Sequence, residues 1–484
     1  MTARHLEVRR GMYRDSVRLM QVSQAVQGVP GVSAVLVAMA TELNLDLAAG
    51  MGFAPASASP NDMLVAVAAD DDETLATALG RLETELHETP ATGPAATGGE
   101  VPARTAGAAV RRAGADLVLV STPGRYAFLD AMDALDAGAS VLVFSDNVPV
   151  EQEIRLKDVA AERGLLVMGP DCGTAVVFGV GLGFANVVQP GPVGLVAASG
   201  TGAQHVMSLL DAAGTGISHC LGVGGRDLSA AVAGRSTLAA LDALDADPAT
   251  ELIVVVSKPP APEVAGKIRA HAAGLATPAR FALLGLGQPD LTAVVEDALR
   301  RLDRPAPARW PVWFPPSPPA PRPGALRGLF AGGTLCDEAM VIASEALGPI
   351  RSNIPLRPEW TLNSDSPHSM VDFGDDELTR GRPHPMIDGT LRLERLAAEA
   401  TDPSCAVILL DVVLGYVADP DPAATLAPAV AAARDRGVAV VVSLTGTVGD
   451  PQGLHRQAEA LRDAGAAVFA SNAEAARYAV GLIG

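Results

Sequence analysis

From Asp116 onward, short apolar runs recur with helix-periodic stretches between them. DLVLVS, SVLVFSD, GLLVMG, VGLVAAS, SHCLGVG, LIVVVS and FALLGLG come first, and GLFAGG, AVILLDVVLG, VAVVVSLTGT and AAVFASN follow later in the chain. Continuous Val/Leu/Ile runs alternating with helices predict parallel strands buried on both faces. In such sheets the ligand crevice lies beyond the carboxyl ends of the strands. The loops 121–125, 145–149, 169–174, 197–202, 222–227, 257–260, 331–334 and 411–415 are therefore where chemistry is expected. Before residue 88 the pattern is strand (HLEVRRG), helix (Asp15 to about Gly28), strand (VSAVLVAM), helix, strand (DMLVAVA), helix (DDETLATALGRLETEL). That order predicts a small α/β sandwich of ferredoxin-like type over 1–90.

Two stretches read as linkers. Residues 88–107 are small, Pro/Gly-rich and aperiodic, and residues 303–324 (DRPAPARWPVWFPPSPPAPRPG) are dense enough in proline to exclude helix and sheet. Folded units are thus expected at 1–90, 107–190, 191–302 and 325–484.

Composition narrows the partners. A net charge of −19 argues against nucleic acid, because a polyanion is repelled at long range. Cys172, Cys220, Cys336 and Cys405 form no CxxC pair, so neither a disulfide framework nor a zinc site is expected. The first residues lack an apolar signal stretch, and no run approaches the roughly 20 apolar residues that span a bilayer. A cytoplasmic location is the expectation.

Two strand–loop–helix junctions carry candidate chemistry. In VGLVAASGTGAQHVMSLLDAAG a strand ends at Ser199-Gly200-Thr201-Gly202, and Val206, Leu209, Leu210 and Ala213 follow at helical spacing. In GLFAGGTLCDEAMVIASEAL, Gly332-Gly333-Thr334 opens a helix whose Leu335, Ala339 and Ile342 share a face. Unpaired amides at a helix start, with roughly half a unit of positive macrodipole charge, make an anion site. Glycine admits the anion to the backbone, and Ser or Thr adds a hydroxyl. The competing explanation is that these residues simply cap their helices. Neither motif is a Walker loop, since no GK[ST] follows.

These residues also carry a family resemblance. VLVFSDNVPVEQEIRLKDVAAERGLLVMGPDCGT, followed by VGLVAASGTGAQHVMSLLDAAGTGISHCLGVGGRDL, resembles the succinyl-CoA synthetase α chain. From Gly328 onward the phrases AGGTLCDEA, VDFGDDE, LLDVVLG and LRDAGAAVFASNAEAA are similar to the carboxy-terminal domain of that enzyme's β chain. Over nearly the whole length, MYRDSVRLM, PNDMLVAV, FSDNV, GLLVMGPDCGT, FANV, ASGTG, GGRDLS, SKPP, GGTL, DFGDD, GRPHPMID, LLDVVLG and DPAA resemble the FdrA family. The resemblance implies an α/β fold of tandem Rossmann-like and flavodoxin-like parallel-sheet domains of the succinyl-CoA synthetase type, with a small N-terminal α/β domain.

In the synthetase, two helix starts clasp a phosphohistidine, and the matching positions here are Ser199–Gly202 and Gly332–Thr334. The histidine loop expected after FALLGLG reads GLGQPDLTAV and holds none; His271 precedes that strand. A Gly-rich CoA loop before DLVLVS and an ATP-grasp region are also missing. FdrA proteins are associated with oxamate carbamoyltransferase, which with partner subunits converts oxalurate and phosphate to oxamate and carbamoyl phosphate in purine and allantoin breakdown. The resemblance therefore implies phosphate and carbamoyl phosphate as substrates and no tightly bound cofactor. CoA enters only under the alternative, an acyl-CoA synthetase subunit. A third alternative is a scaffold for partner subunits, in a hetero-complex or a homo-oligomer.

The remaining candidates sit in polar loops. The 368–392 segment offers Arg380 and Arg382 for bidentate binding of a carboxylate or phosphate and His384 as proton donor, against an ordered loop held by its own ion pairs. Asp372, Asp375 and Asp376 raise a metal site as an option, and none is assigned. The resemblance places Asp171 and Cys172 in the site lining, with Asp171 a catalytic candidate, Cys172 and Gly173 substrate-binding ones, and Cys172 read as either nucleophile or buried thiol. Arg226 is either an anion ligand or a structural ion pair. His205, facing either the site or the helix surface, Asp411 as a substrate ligand, and Lys258 complete the set.

Overall fold

The computed structural model describes residues 3–12, 14, 16–54, 58–87, 103–379 and 382–484. It divides into a small unit, formed by the chain up to residue 102 with residues 381–383, and a large unit holding the rest.

In the small unit β1 (Ala3–Arg9), β2 (Val32–Met39) and β3 (Met63–Ala69) form an antiparallel sheet in the order β1-β3-β2. Alternation sorts the central strand. Met63, Val65 and Val67 pack with Leu19, Val22, Val26, Ala78 and Leu82 of two helices, while Leu64, Ala66 and Ala68 face Ala48 and Phe53. The residues expected to link the units, 88–102, lie outside the described set.

The large unit has three sheets. β4 (Leu117–Val120), β5 (Ser140–Val143) and β6 (Val167–Met168) are parallel. The second sheet contains β7 (Thr174–Val177), β8 (Val180–Gly183), β9 (Pro190–Ala198), β10 (Ile217–Gly222), β11 (Leu252–Ser257) and β12 (Ala279–Leu283), in the order β12-β11-β9-β10-β7-β8. The third contains β13 (Val312–Trp313), β14 (Ala325–Phe330), β15 (Ser369–Asp372), β16 (Cys405–Val413), β17 (Ala439–Thr445) and β18 (Ala467–Phe469), in the order β13-β18-β17-β16-β14-β15.

Two expectations change. The β7–β8 hairpin, inside the 107–190 unit expected from the sequence, joins the second sheet instead and closes its edge by pairing antiparallel with β10. The proline-dense 303–324 stretch is also not free of sheet: Val312 and Trp313 pair with Phe469 and Val468, and Trp310 is buried. Proline is absent at these two positions, so both amides are available to an edge strand.

One core joins the second and third sheets. Val193, Leu195, Met207 and Leu210 belong to the same cluster as Leu326, Phe330, Leu335, Met340 and Ala476. The helices Gly200–Ala212 and Gly333–Leu347 both contribute buried faces to it. Packed against a common core, they start close together.

Candidate functional site: two helix starts and a lysine among carboxyls

Ser199 leaves β9 in extended conformation and caps the Gly200 helix, its Oγ accepting from Gly202 N at 3.0 Å. The same oxygen stands 2.5 Å from Thr334 Oγ1 of the second helix. The junction is reciprocal. A Cβ on Gly202 would meet Thr334 Cγ2 at 2.9 Å, and a Cβ on Gly332 would meet Thr201 Oγ1 at 2.6 Å. Each glycine thus makes room for the other helix's threonine. The amides of Gly200, Thr201, Gly333 and Thr334 belong to first turns and have no intrahelical acceptor. Gly200, Thr201 and Gly333 are only partly buried.

The second start is held from behind. Ala331 N and Gly332 N donate to Asp411 Oδ1 and Oδ2 at 2.7 and 2.8 Å, and Arg392 Nη1 reaches Asp411 Oδ1 at 2.7 Å. Burial pushes the Asp411 carboxyl above its ordinary range, while Arg392 and the amides oppose that shift. Asp411, expected as a substrate ligand, instead clamps the loop.

Lys258 follows β11 and brings its ammonium to the first turn of the Gly333 helix. Its Nζ and Asp372 Oδ2 each lie 2.5 Å from where a Gly333 Cβ would stand. Asp372, Asp337 and Asp171 all act on Lys258, whose pKa is raised because their attraction outweighs burial. Burial pushes the carboxyls of Asp171, Asp337 and Asp372 each up to about 7. Asp171 keeps an exposed surface although protein packs densely around it, and it sits in a left-handed turn at φ 55. Asp376 and Asp146 raise it further, and Lys258 and Arg226 oppose them. No group of three His, Cys, Asp or Glu side chains gathers closely enough to hold a metal among the described residues.

Other sequence candidates fall outside this arrangement or change role. Cys172 is 3% exposed, donates weakly to Gly222 O, and burial pushes its thiol to about 12, so a nucleophilic thiolate is not available. Gly173 lies in the wall, its carbonyl accepting from Phe184 N at 2.7 Å. Arg226 bonds Val148 O at 2.7 Å and Glu153 Oε2 at 3.0 Å, which makes it a structural pair at the crevice edge. Arg382 is exposed and falls in the small unit, while Arg380 lies outside the described residues. His384 lies near the site, its Nε2 2.8 Å from where a Gly374 Cβ would stand and Asp372 Oδ1 at 3.1 Å from the same point. Burial and Arg392 lower its pKa to about 4, so the ring is neutral at neutral pH and is not an acid in the imidazolium sense. Its Nδ1 accepts from Met386 N at 3.3 Å, which leaves the proton on Nε2. His205 is fully buried between Thr445 Oγ1 at 2.9 Å and Asn472 N at 3.2 Å. His271 pairs with Asp242 at 2.6 Å on a partly exposed helix.

Asp337 and Asp146 act on this cluster without standing among the sequence candidates, and Lys258 stands there only by its place at a strand end. Asp337 follows Gly333 by four residues, so helical periodicity alone sets both on one face. Lysine is scarce, with only Lys157, Lys258 and Lys267 among 36 basic residues, a composition bias that by itself carries no functional weight.

Comparison with known proteins adds to this geometry. Residues 329–482 match a CoA-ligase family model, and residues 1–102 match a model described as the AllF heavy metal-associated domain. Escherichia coli K12 YahF is 36% identical over 500 residues, covering 95% of both chains. This chain belongs to the FdrA family. The FdrA chain also aligns with the α subunit 2 of ADP-forming succinate–CoA ligase from Archaeoglobus fulgidus at 29% identity over 154 residues, 31% of this chain and 52% of that one. The chain therefore spans about half of that relative. A solved ATP citrate lyase from Methanothrix soehngenii, in complex with citrate and coenzyme A, has a TM-score of 0.32 at 21% identity, over 40% of this chain and 36% of that one. Residues 1–102 contain no cysteine, so that unit offers no thiolate to a soft metal.

Among the described residues, no helix is long and apolar enough to cross a membrane.

Proposed function

We propose that this chain is the phosphate-holding subunit of a cytoplasmic carbamoyltransferase that converts an oxalurate-like ureido acid and phosphate to oxamate and carbamoyl phosphate, working with partner subunits. The observation that carries the reading is the meeting of two helix starts at Ser199 and Thr334, with Lys258 beside them. Two sets of orphan amides, two dipole ends and one ammonium are suited to a single oxyanion. A phosphate oxygen attacks the carbamoyl carbon; the C–O bond forms and the C–N bond to the oxamate nitrogen breaks. That nitrogen takes a proton from a carboxyl of the Asp171/Asp372 group, and the proton of the incoming hydrogen phosphate reprotonates that group, so the cycle balances. Positioning and oriented dipoles supply the catalysis, and no covalent protein intermediate is needed. The GLGQPDLTAV loop, which offers no histidine to phosphorylate, fits that economy.

The CoA-ligase match over 329–482 favours a second reading, an acyl-CoA synthetase-like subunit. Incubating the chain, alone and with the products of neighbouring genes, with oxamate and carbamoyl phosphate separates the two. Oxamate-dependent phosphate release supports the first reading. Turnover that instead requires CoA and nucleotide replaces it with the second.

A further inference from the structure

Lys258 and Asp337 share an unusual condition. Among the described residues, neither makes a direct hydrogen bond or ion pair, although Asp337 is buried and Lys258 half-buried, and each acts electrostatically on the other. Asp337 is 6% exposed. An enclosed charge without a partner is costly unless a ligand or proton completes it. Gly333 makes the arrangement possible, because any side chain there would displace both Lys258 Nζ and Asp372 Oδ2. The ammonium therefore stands at the amide end of the Gly333 helix, with carboxyls around it and none bonded to it.

We infer that Lys258 is the charged anchor of the oxyanion at this helix junction, and that Asp337, Asp372 and Asp171 form a proton store around it, so that a doubly charged oxyanion binds only while one of these carboxyls holds a proton. This rests on the phosphate-holding reading above and deepens it by naming the charge state that the site accepts. The ligand brings two negative charges to a single ammonium already faced by three carboxyls. Two helix dipoles, together about one unit of positive charge, and the ammonium offset the ligand itself. They do not also offset ionised Asp337, Asp372 and Asp171, so one of these must hold a proton when the ligand is bound.

The groups facing Lys258 come from several elements. Asp372 ends β15, Asp337 and the neutral thiol of Cys336 lie on the Gly333 helix, and Asp171 lies in the 169–174 loop. Asp376 stands further out, with Asp146 and Arg226 acting on both it and Asp171. Behind Asp372 are Asp411, paired with Arg392, and the neutral His384.

Sulfate is the probe, because it stays a dianion throughout the range in which phosphate titrates. Calorimetric titration of the full chain with sulfate from about pH 6 to about pH 8.5, in two buffers of different ionisation enthalpy, reads affinity and proton uptake together. Affinity is expected to fall about tenfold per pH unit above the carboxyl range, with about one proton taken up per sulfate at the alkaline end. Lys258→Met is expected to abolish binding at every pH, and Lys258→Arg to restore part of it. Asp337→Asn removes an unpaired buried charge, leaves the fold intact, and is expected to raise sulfate affinity at pH 8 and flatten the slope. A pH-independent affinity, unaltered binding by Lys258→Met, or no sulfate binding at any pH overturns the inference. Sulfate binding of the expected kind without oxamate-dependent phosphate release leaves this subsite standing and removes the proposed reaction. Carbamoyl transfer with a flat sulfate profile does the reverse.

Discussion

Ser199 and Thr334 lie 135 residues apart in the chain, at helix starts that follow strands of different sheets, and their hydroxyl oxygens stand 2.5 Å from one another. The contact exists because one core is shared by both sheets and because Gly202 and Gly332 leave space for the threonine of the opposite helix. The proposed chemistry depends on that juxtaposition.

The first prediction concerns space alone. Gly332 has φ −110, which any residue can adopt, so Gly332→Ala is not strained by its backbone. Its new methyl instead meets Thr201 Oγ1 at 2.6 Å and drives the helix starts apart. The expected cost is about 1–3 kcal/mol in chemical denaturation, with weakened anion binding. Adding Thr201→Ala should recover part of both, and no recovery would place the defect elsewhere.

Asp411 supports a second prediction. Asp411→Asn cannot accept from both Ala331 N and Gly332 N and still neutralise Arg392, so a buried guanidinium loses its counter-charge. Breaking such a pair costs about 3–5 kcal/mol, read as a fall in denaturant midpoint. Were Asp411 a substrate ligand only, its replacement would leave stability near wild type and change binding alone.

The carboxyls near Lys258 make stability depend on pH. Asp337 has a folded pKa of about 7, above the ordinary carboxylate value. The folded state therefore holds more protons than the unfolded one between about pH 4 and about pH 7, and stability from this group falls as pH rises through that window. Asp337→Asn is expected to melt higher than wild type at pH 8 and at the same temperature near pH 4. The buried His205 has the opposite sign: its pKa is lowered to about 4, so its contribution is present above about pH 6.5 and is lost as pH falls towards 4. A stability difference for Asp337→Asn that is constant across pH would remove the carboxyl from this role.

A further prediction separates His384 from the carboxyls. With a pKa of about 4, its ring stays neutral across the working range and offers an Nε2 proton as a hydrogen-bond donor. His384→Gln is expected to lower the rate of oxamate-dependent phosphate release while leaving the alkaline limb of the pH–rate profile in place. Disappearance of that limb would return the acid role to His384.

Much of the fold was legible because buried parallel strands announce themselves as unbroken Val/Leu/Ile runs, as in LIVVVS and AVILLDVV. The helix starts were legible because glycine and hydroxyl residues cluster immediately after such runs. The pairing of the β7–β8 hairpin with β10 was not, since edge placement depends on tertiary contact and leaves no periodic trace. The roles of Asp411 and Arg226 were hidden for the same reason. A carboxylate at a strand end reads alike whether it meets a ligand or two backbone amides. Lys258 and Asp337, 79 positions apart in the sequence, come together only when two sheets close on one core.

The most direct measurement is a crystal structure of the full chain soaked with phosphate or sulfate. The account predicts one oxyanion at the joint first turns, bonded by the amides of Gly200–Thr201 and Gly333–Thr334 and by Lys258 Nζ. An oxyanion bound elsewhere with this junction closed by the Thr201 and Thr334 side chains would contradict it.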